Sequence, residues 1–190
     1  MHREIADQGH EGYVWQMTNP EIGEAERVDK ALAALVGQLV WNVRRGVGTF
    51  LTMEFGEPHL SVREPKQPRS ATSANAQRVL MRRRIYVTGD WHFWVKYGHW
   101  KLSSSRGSLE ETTPSGPELD GCLDDLDGQR VIGIAIGPIP HSCILRFDLG
   151  AELEICPSKD ATDDQWSLHN WNGKIIAYRN DGVIVFEPPS

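Results

Sequence analysis

Hydrophobic positions follow two different periods along the chain. In residues 28–35 and 119–126, apolar side chains recur at spacings of three and four, as on one face of an amphipathic helix. Residues 51–55 and 145–149 instead alternate apolar and polar side chains, which is the pattern of a half-buried strand. A glycine follows each of these two segments directly. The pattern predicts helices and antiparallel strands in both halves of the chain.

A six-residue motif occurs once in each half. Residues 35–40 are LVGQLV and residues 126–131 are LDGQRV, so both match L-x-G-Q-x-V. The helical pattern ends in each case at the glycine, Gly37 or Gly128, as a left-handed C-terminal cap requires. Pro20 and Pro117 stand near the two predicted helix starts, where proline suits the first turn. These matches predict an internal duplication.

Further residues match at equal spacing in the two halves. The matching pairs are Trp91 with Trp166, Gly98 with Gly173, and Gly107 with Gly182. The strand at 51–56 is likewise aligned with 145–150. Asn180-Asp181-Gly182 is a strong signal for a tight β-hairpin, and Ser105-Arg106-Gly107 is a weaker form of the same signal.

The predicted fold class is α+β, formed by tandem duplication of a helix plus an antiparallel β-meander. One repeat would leave an apolar sheet face uncovered, so we expect the two copies to pack into one sheet-rich body. The predicted segments are an N-terminal arm (1–18), a first repeat (19–109) with a basic insertion at 63–84, a linker (110–116) and a second repeat (117–190).

Composition and charge narrow the class of protein. A net charge of −6 argues against a general nucleic-acid binder, because phosphate contacts need a surplus of Lys and Arg. Cys122, Cys143 and Cys156 show no metal-binding spacing and are expected to be free, small apolar side chains.

The chain starts without a signal peptide pattern, and no segment reaches the roughly 18 apolar residues of a membrane span. We therefore expect a cytoplasmic protein that does not cross a membrane.

Residues 89–100, GDWHFWVKYGHW, contain three of the seven Trp and two of the seven His. Gly89-Asp90 suits a two-residue turn, which would pair residues 83–88 with residues 91–96 in a hairpin. Strand alternation would then place Trp91 and Phe93 in the core. The opposite face would carry His92, Trp94 and Lys96, which are predicted to bind a partner unless Trp94 only packs over the other repeat or the insertion loop.

The insertion at 63–84 carries seven basic residues and one acid, Glu64, whereas residues 110–127 carry seven acids and no Lys or Arg. The basic segment would contact phosphate, RNA or an acidic protein, or it would be a solvated loop that pairs with the acidic segment. The complete predicted partner-binding set is His92, Trp94, Lys96, Arg82, Arg83, Arg84 and Tyr86.

Enzymatic signals are weak. GxGxxG, GxxxxGK[ST], HExxH and GxSxG are all missing from the sequence, so no catalytic residue, metal site or cofactor is predicted. His59, His92, His99 and His169 would form a cluster only if their strands were adjacent. A hydrolase that uses these histidines and nearby carboxylates is the least favoured of the functional hypotheses.

The series L-x-G-Q-x-V, LTMEFG, a Trp-led strand and an Asn-Asp-Gly hairpin resembles small bacterial proteins of unknown function, some of which look like immunity proteins of bacterial toxin systems. The resemblance implies a non-enzymatic protein-binding module with a toxin-like partner. The alternative is a small-molecule or nucleic-acid binder that uses Arg82–Arg84 and Trp94. A homodimer is a further expectation.

Overall fold

The computed structural model describes residues 15–16, 23–46, 50–67 and 73–187. Three helices and fourteen strands lie in these residues. The helices are α1 (Glu24–Leu32), α2 (Ala74–Leu80) and α3 (Pro117–Leu126). The strands are β1 (Trp15–Gln16), β2 (Val40–Arg45), β3 (Leu51–Phe55), β4 (His59–Arg63), β5 (Arg84–Thr88), β6 (Trp91–Val95), β7 (His99–Ser104), β8 (Gly107–Glu110), β9 (Val131–Ile136), β10 (Cys143–Phe147), β11 (Glu152–Cys156), β12 (Asp164–Asn170), β13 (Ile175–Arg179) and β14 (Ile184–Glu187).

All strand pairs are antiparallel, and the strands form three sheets. The seven-stranded sheet has the order β1-β14-β13-β12-β6-β3-β2, and the five-stranded sheet has the order β8-β7-β11-β10-β9. Strands β4 and β5 pair only with each other. The fold is therefore sheet-rich with three short helices, consistent with an α+β or mostly-β class.

One hydrophobic core joins the two large sheets with α1 and α3. Its largest fully buried side chains are Trp100, Trp166, Tyr178, Phe55 and Phe93, with leucines from α1, α3 and both sheets. The expected placement of Phe93 in the core is confirmed, and Trp91 is partly buried against the same cluster. Cys122 and Cys143 are buried, as their small apolar character predicts.

Helical structure ends before both glycines, at Leu35 after a 3₁₀ turn and at Leu126, but neither glycine caps its helix, because the amides of Gly37 and Gly128 donate to the other segment. Gly37 and Gly128 have positive φ angles of 85° and 87°, a conformation that glycine adopts without the strain of a Cβ. The predicted tight turn at Asn180-Asp181-Gly182 joins β13 to β14, and the weaker signal at residues 105–107 marks the turn between β7 and β8. The start of the first predicted helix, 19–22, most of the arm, 1–18, and residues 68–72 of the insertion lie outside the described residues.

The two L-x-G-Q-x-V segments bind each other through their backbones. The amide of Gly37 donates to Val131 O, and the amide of Gly128 donates to Val40 O, at 2.8 and 2.7 Å. The amide of Val40 likewise donates to Gln129 O, and the amide of Val131 donates to Gln38 O. Each bond has a counterpart between the equivalent positions of the two motifs. Such reciprocal bonds are typical of a contact with two-fold symmetry.

The expectation that each half forms its own meander is wrong, because both large sheets contain strands from both halves. In the seven-stranded sheet, β6 of the first half pairs with β12 of the second. In the five-stranded sheet, β7 of the first half pairs with β11 of the second. A period-two pattern specifies which face of a strand is buried, but it does not specify the neighbouring strand.

The predicted hairpin between residues 83–88 and 91–96 is also wrong. Strand β5 pairs with β4, whereas β6 lies between β3 and β12. Gly89 is buried where the chain crosses the end of β3, and a Cβ there would overlap the backbone oxygen of Phe55. The glycine thus permits a close approach between two chain segments and does not form a hairpin turn.

The strand ladders revise the alignment of the two halves. Val40 pairs with Phe55 and Val131 pairs with Phe147, so Phe55 corresponds to Phe147 and the aligned strands shift by two residues. Trp166 lies opposite Val95, and Trp100 lies opposite Ile155, which is the residue that the shifted alignment matches to Val95. By ladder position Trp166 therefore corresponds to Trp100, and not to Trp91.

Candidate functional site

A flap, defined as residues 57–88, leaves the seven-stranded sheet after β3 and returns to it at β6. Its described part contains the β4–β5 ribbon and α2, and α2 has no buried residue. An isolated two-stranded ribbon is marginally stable in water. The contacts at its base therefore determine how the flap is held against the sheet.

Asp90 anchors the base of the flap. Its Oδ2 accepts a hydrogen bond from the amide of Glu57 at 2.9 Å, and its Oδ1 lies 2.7 Å from Nε2 of His59. The hydrogen bond from His59, followed by that from the Glu57 amide, lowers the pKa of Asp90 below its usual value. The backbone oxygen of Asp90 accepts from the amide of Trp171 and the side chain of Asn170, which joins the flap base to the end of β12.

A cleft of about 580 Å³ lies between the flap and the sheet. The flap contributes Ser61, Arg63, Tyr86 and Thr88, and the sheet and the turn after β12 contribute Glu54, His92, Trp94, His169, Asn170 and Trp171. Its volume lies within the range of about 300–1,000 Å³ that is typical of small-molecule sites. Five of its ten lining residues carry an aromatic or imidazole ring, and the lining includes one acid, Glu54, and one arginine, Arg63.

Strand register creates a row of titratable side chains on the floor of this cleft. Glu54 of β3 lies directly opposite His92 of β6, which lies directly opposite His169 of β12. Glu54 is only 5% exposed. Its carboxylate is 2.8 Å from Nδ1 of His92 and accepts hydrogen bonds from the Gly89 amide and the Thr88 hydroxyl. All three donors converge on one buried carboxylate.

The hydrogen bonds to Glu54 determine its charge. Burial raises its pKa, but the bonds from His92, Gly89 and Thr88 together outweigh burial, and the pKa lies below its usual value. Glu54 is therefore ionised at neutral pH, so Nδ1 of His92 is the donor in their contact. Nε2 of His92 has no protein hydrogen bond within the described residues. The carboxylate of Glu54 thus fixes the orientation of the imidazole and leaves Nε2 available to the cleft.

His169 and Ser167 form a second pair, with Nε2 of His169 2.8 Å from the Ser167 hydroxyl. Burial, together with the charges of His92 and Lys96, lowers the pKa of His169 to about 4, so this ring is neutral at pH 7. Ser167 is completely buried. A buried hydroxyl cannot reach a substrate, so this pair does not provide the accessible nucleophile that a serine hydrolase requires.

Trp94 and Lys96 lie beside the row of titratable side chains and contact each other. The Lys96 ammonium is 5.2 Å from the Trp94 ring centroid and 3.0 Å from a carboxylate oxygen of Asp164. Phe50 packs edge-on against Trp94. The Trp94 indole N–H is buried and has no acceptor among the described residues. Lys96 is thus occupied within the protein, whereas Trp94 forms part of the cleft wall.

The arginines of the predicted set lie at the outer end of the flap. Arg82 and Arg84 are exposed, and Arg83 forms an exposed ion pair with Glu64 at 2.9 Å. Arg84 lies directly opposite Arg63 on the ribbon. The structure therefore gathers Tyr86, His92 and Trp94 in the cleft, with Lys96 adjacent, and leaves the three arginines outside its floor.

The opposite face of the ribbon is apolar and unpaired. Leu60 lies opposite Val87, and Val62 lies opposite Ile85. These four side chains are 70%, 50%, 48% and 63% exposed, respectively. Val79 and Met81, in and just after α2, are also exposed. Alternation places these four apolar residues on one face of the ribbon, but it does not specify that this face lies away from the core.

Sequence reasoning missed several residues of the cleft. Glu54 sits between Met53 and Phe55 in an apolar strand, and its acidic side chain is the signal that this face of the strand is polar. His169 and Trp171 join the site through the β6–β12 pairing, which the sequence did not predict. His59 stacks on Trp171 at the flap base with a centroid distance of 4.6 Å, and His99 lies apart, bonded to Glu111.

Across residues 15–16, 23–46, 50–67 and 73–187, no group of three or more His, Cys, Asp or Glu side chains has a geometry suited to a metal ion.

In the acidic segment, Asp125 accepts hydrogen bonds from Ser105, Arg106 and Ser104, which lower its pKa. That carboxylate joins α3 to the β7–β8 turn.

None of the helices that the structure describes is both long enough and apolar enough to cross a membrane. No protein-family model matches the chain, and the comparisons with curated proteins and with solved structures found no match either.

Proposed function

We propose that the protein binds an acidic protein partner through the outer face of the flap. The observation that carries this proposal is the exposed apolar face formed by Leu60, Val62, Ile85 and Val87. Scattered exposed apolar residues are ordinary, but four that touch across one ribbon make a contiguous patch of the kind that marks interaction sites. A ribbon with little burial of its own also gains most from a partner.

The basic residues around this apolar face indicate the charge expected on the partner's surface. Lys66, Arg78 and Arg82 are exposed on the flap, and the one described acid nearby, Glu64, is paired with Arg83. An apolar centre with a basic rim suits a partner that has an apolar patch bordered by carboxylates. A two-fold dimer through this face would instead place one arginine rim against another. The charge thus favours a different protein over a second copy of this chain.

Reconstitution with a purified partner tests the proposal. The wild-type chain serves as bait in its native extract, the retained protein is identified and produced separately, and Kd is measured by calorimetry. Leu60→Asp and Ile85→Asp are expected to raise Kd at least about tenfold, because each buries a charge in the interface. Leu149→Asp is the matched control, since Leu149 is 74% exposed in the turn between β10 and β11.

Two outcomes would contradict this function. One is a purified complex whose Kd is the same for the Leu60, Ile85 and Leu149 variants. The other is concentration-dependent self-association of the wild-type chain that Ile85→Asp abolishes, which would identify the face as a dimer contact. Light scattering of the chain alone distinguishes the second outcome from binding of another protein.

An immunity-like role, with a toxin as the partner, is the form of this function that the sequence resemblance implies. The basic rim of the flap would then suit an acidic surface on the toxin. A toxin gene directly upstream would support the role, and co-expression of that toxin with the Ile85→Asp variant would test it. Loss of protection with this variant, and protection by Leu149→Asp, is the expected result.

We also propose that the two halves arose by duplication of one unit. The reciprocal backbone bonds between the two L-x-G-Q-x-V segments support it, as does the matching succession of a helix, a glycine and a strand in each half. In this arrangement β6 and β11 occupy equivalent positions, as do β7 and β12. The flap lies between β3 and β6, where the second half has only the short β10–β11 connection.

A further inference from the structure

Two arginines face each other at the inner side of the flap. Arg63 of β4 and Arg84 of β5 are directly opposite residues of the ribbon, and Arg63 lines the cleft. Neither side chain has an ion-pair partner among the described residues. Like charges directly opposite each other destabilise a pair of strands. Their placement at a cleft mouth is the arrangement that an anionic group would stabilise.

Flat rings lie beyond these arginines. Tyr86 extends from the flap on the same ribbon face as Arg84, and Trp94 and Trp171 lie on the other side of the cleft. Trp171 is 57% exposed and stacks on His59, so one indole face is fixed in position by a neighbouring ring. Exposed aromatic side chains in a concave site provide stacking surfaces for a planar ligand.

The floor of the cleft adds polar groups. His92 has its Nδ1 bonded to the Glu54 carboxylate, which leaves Nε2 available to a ligand. Asn170 and Ser61 contribute an amide and a hydroxyl. Glu54, a buried acid of the cleft, is ionised, but three donors bond its carboxylate, which weakens its repulsion of an anion relative to that of an unpaired carboxylate.

We propose that this cleft binds a small molecule with a planar aromatic ring and an anionic group, of which a nucleoside monophosphate is the representative class. The ring lies against Tyr86 and Trp171, and the phosphate contacts Arg63 and Arg84. The ligand occupies the inner side of the flap, so this site is separate from the outer face that would bind a protein.

Calorimetry on the full chain tests the site with defined probes. Adenosine 5′-monophosphate and uridine 5′-monophosphate represent the nucleotide source, and indole-3-acetate represents an aromatic carboxylate. Adenosine and inorganic phosphate carry the ring or the anion alone. The complete monophosphate is expected to bind at least about tenfold more tightly than either part, because both groups contribute to one site. Tighter binding of indole-3-acetate than of both nucleotides would overturn the nucleotide assignment.

Variants identify the contacts. Arg63→Gln combined with Arg84→Gln is expected to weaken nucleotide binding at least about tenfold and to leave adenosine binding unchanged. Trp171→Ala is expected to weaken both the nucleotide and adenosine. Arg146→Gln is the matched control, because Arg146 is an exposed strand arginine of the five-stranded sheet, paired with Glu152.

The result that would overturn the inference is equal binding by the Arg63/Arg84 double variant and wild type, or Kd values above about 1 mM for every probe. Leu60→Asp separates this inference from the proposed function. That variant is expected to lose the protein partner and to keep nucleotide affinity, whereas the Arg63/Arg84 variant is expected to lose nucleotide affinity whether or not a protein binds the outer face.

Discussion

Glu54 and His92 face each other across adjacent strands, with 2.8 Å between the carboxylate and Nδ1 of the imidazole. The same carboxylate accepts the amide of Gly89 and the hydroxyl of Thr88, both at the point where the flap rejoins the sheet. One buried side chain therefore orients the histidine of the cleft and attaches the returning end of the flap. The candidate ligand site and the position of the flap depend on the same acid.

Glu54→Gln is expected to lower the free energy of unfolding by about 1–3 kcal/mol, because it places an amide NH₂ among buried donors that need an acceptor. Urea denaturation followed by Trp fluorescence measures the change. Glu152→Gln is the control, since its exposed pair with Arg146 should contribute less than about 1 kcal/mol. Equal unfolding midpoints for Glu54→Gln and wild type would show that the three hydrogen bonds do not stabilise the fold.

The stability of the protein is expected to fall on acidification because of His169. Its pKa is about 4 in the folded protein against an ordinary value of 6.5, and burial is the largest cause. Between these values the unfolded state binds more protons than the folded state, so the free energy of unfolding rises with pH. The contribution is complete above pH 6.5 and is lost as pH falls towards 4.

An NMR titration of the imidazole protons measures this prediction directly. The His169 signal should remain that of a neutral ring down to about pH 5. Burial and the charges of His92 and Lys96 lower the pKa of His169, whereas the charge of Asp164 raises it. Urea denaturation at the same pH values should show that His169→Asn reduces the loss of stability in acid. Titration of the His169 ring near 6.5 would contradict the neutral assignment.

Local sequence patterns predicted the individual helices and strands of this fold better than they predicted which strands pair with each other. The helical period of residues 119–126, the strand at residues 51–55 and the positive φ angles of Gly37 and Gly128 are all present, because each depends on nearby residues. Strand pairing depends on contacts between distant segments, and the alternation in β6 suits β3 and β12 as well as it suits β5. The hairpin prediction failed for this reason.

The cleft shows the same division. Tyr86, His92 and Trp94 were predicted because aromatic and imidazole side chains stand out in a single strand. Glu54 was not predicted, and His169 was named only for a histidine cluster that required adjacent strands, since only the lateral register of β3, β6 and β12 brings both residues beside His92. The exposed apolar face of the ribbon was missed because an apolar strand face normally predicts burial.

Gly89 is expected to be among the least replaceable residues of the chain. A Cβ at this position would overlap the Phe55 backbone, which cannot move without disturbing β3. Gly89→Ala should therefore cost about 1–3 kcal/mol of stability, as other overpacking substitutions do. Gly133→Ala in β9 is the control, because its Cβ would meet open space and the change should be within about 0.5 kcal/mol. Thermal unfolding that ranks the two variants in the reverse order would contradict this account.

Gly37 and Gly128 offer a paired test of the duplication. Their φ angles are 85° and 87°, and a Cβ on either would meet no other atom within 4 Å. Alanine at each position therefore adds only the cost of the left-handed backbone, about 1–2 kcal/mol. Because the two residues occupy equivalent places in the reciprocal contact, Gly37→Ala and Gly128→Ala should lower the unfolding free energy equally, to within about 0.5 kcal/mol. Asparagine, which tolerates this conformation better, should restore part of the loss at both positions. A large cost at one glycine with none at the other would show that the two motifs are not energetically equivalent, and it would remove one support for their common origin.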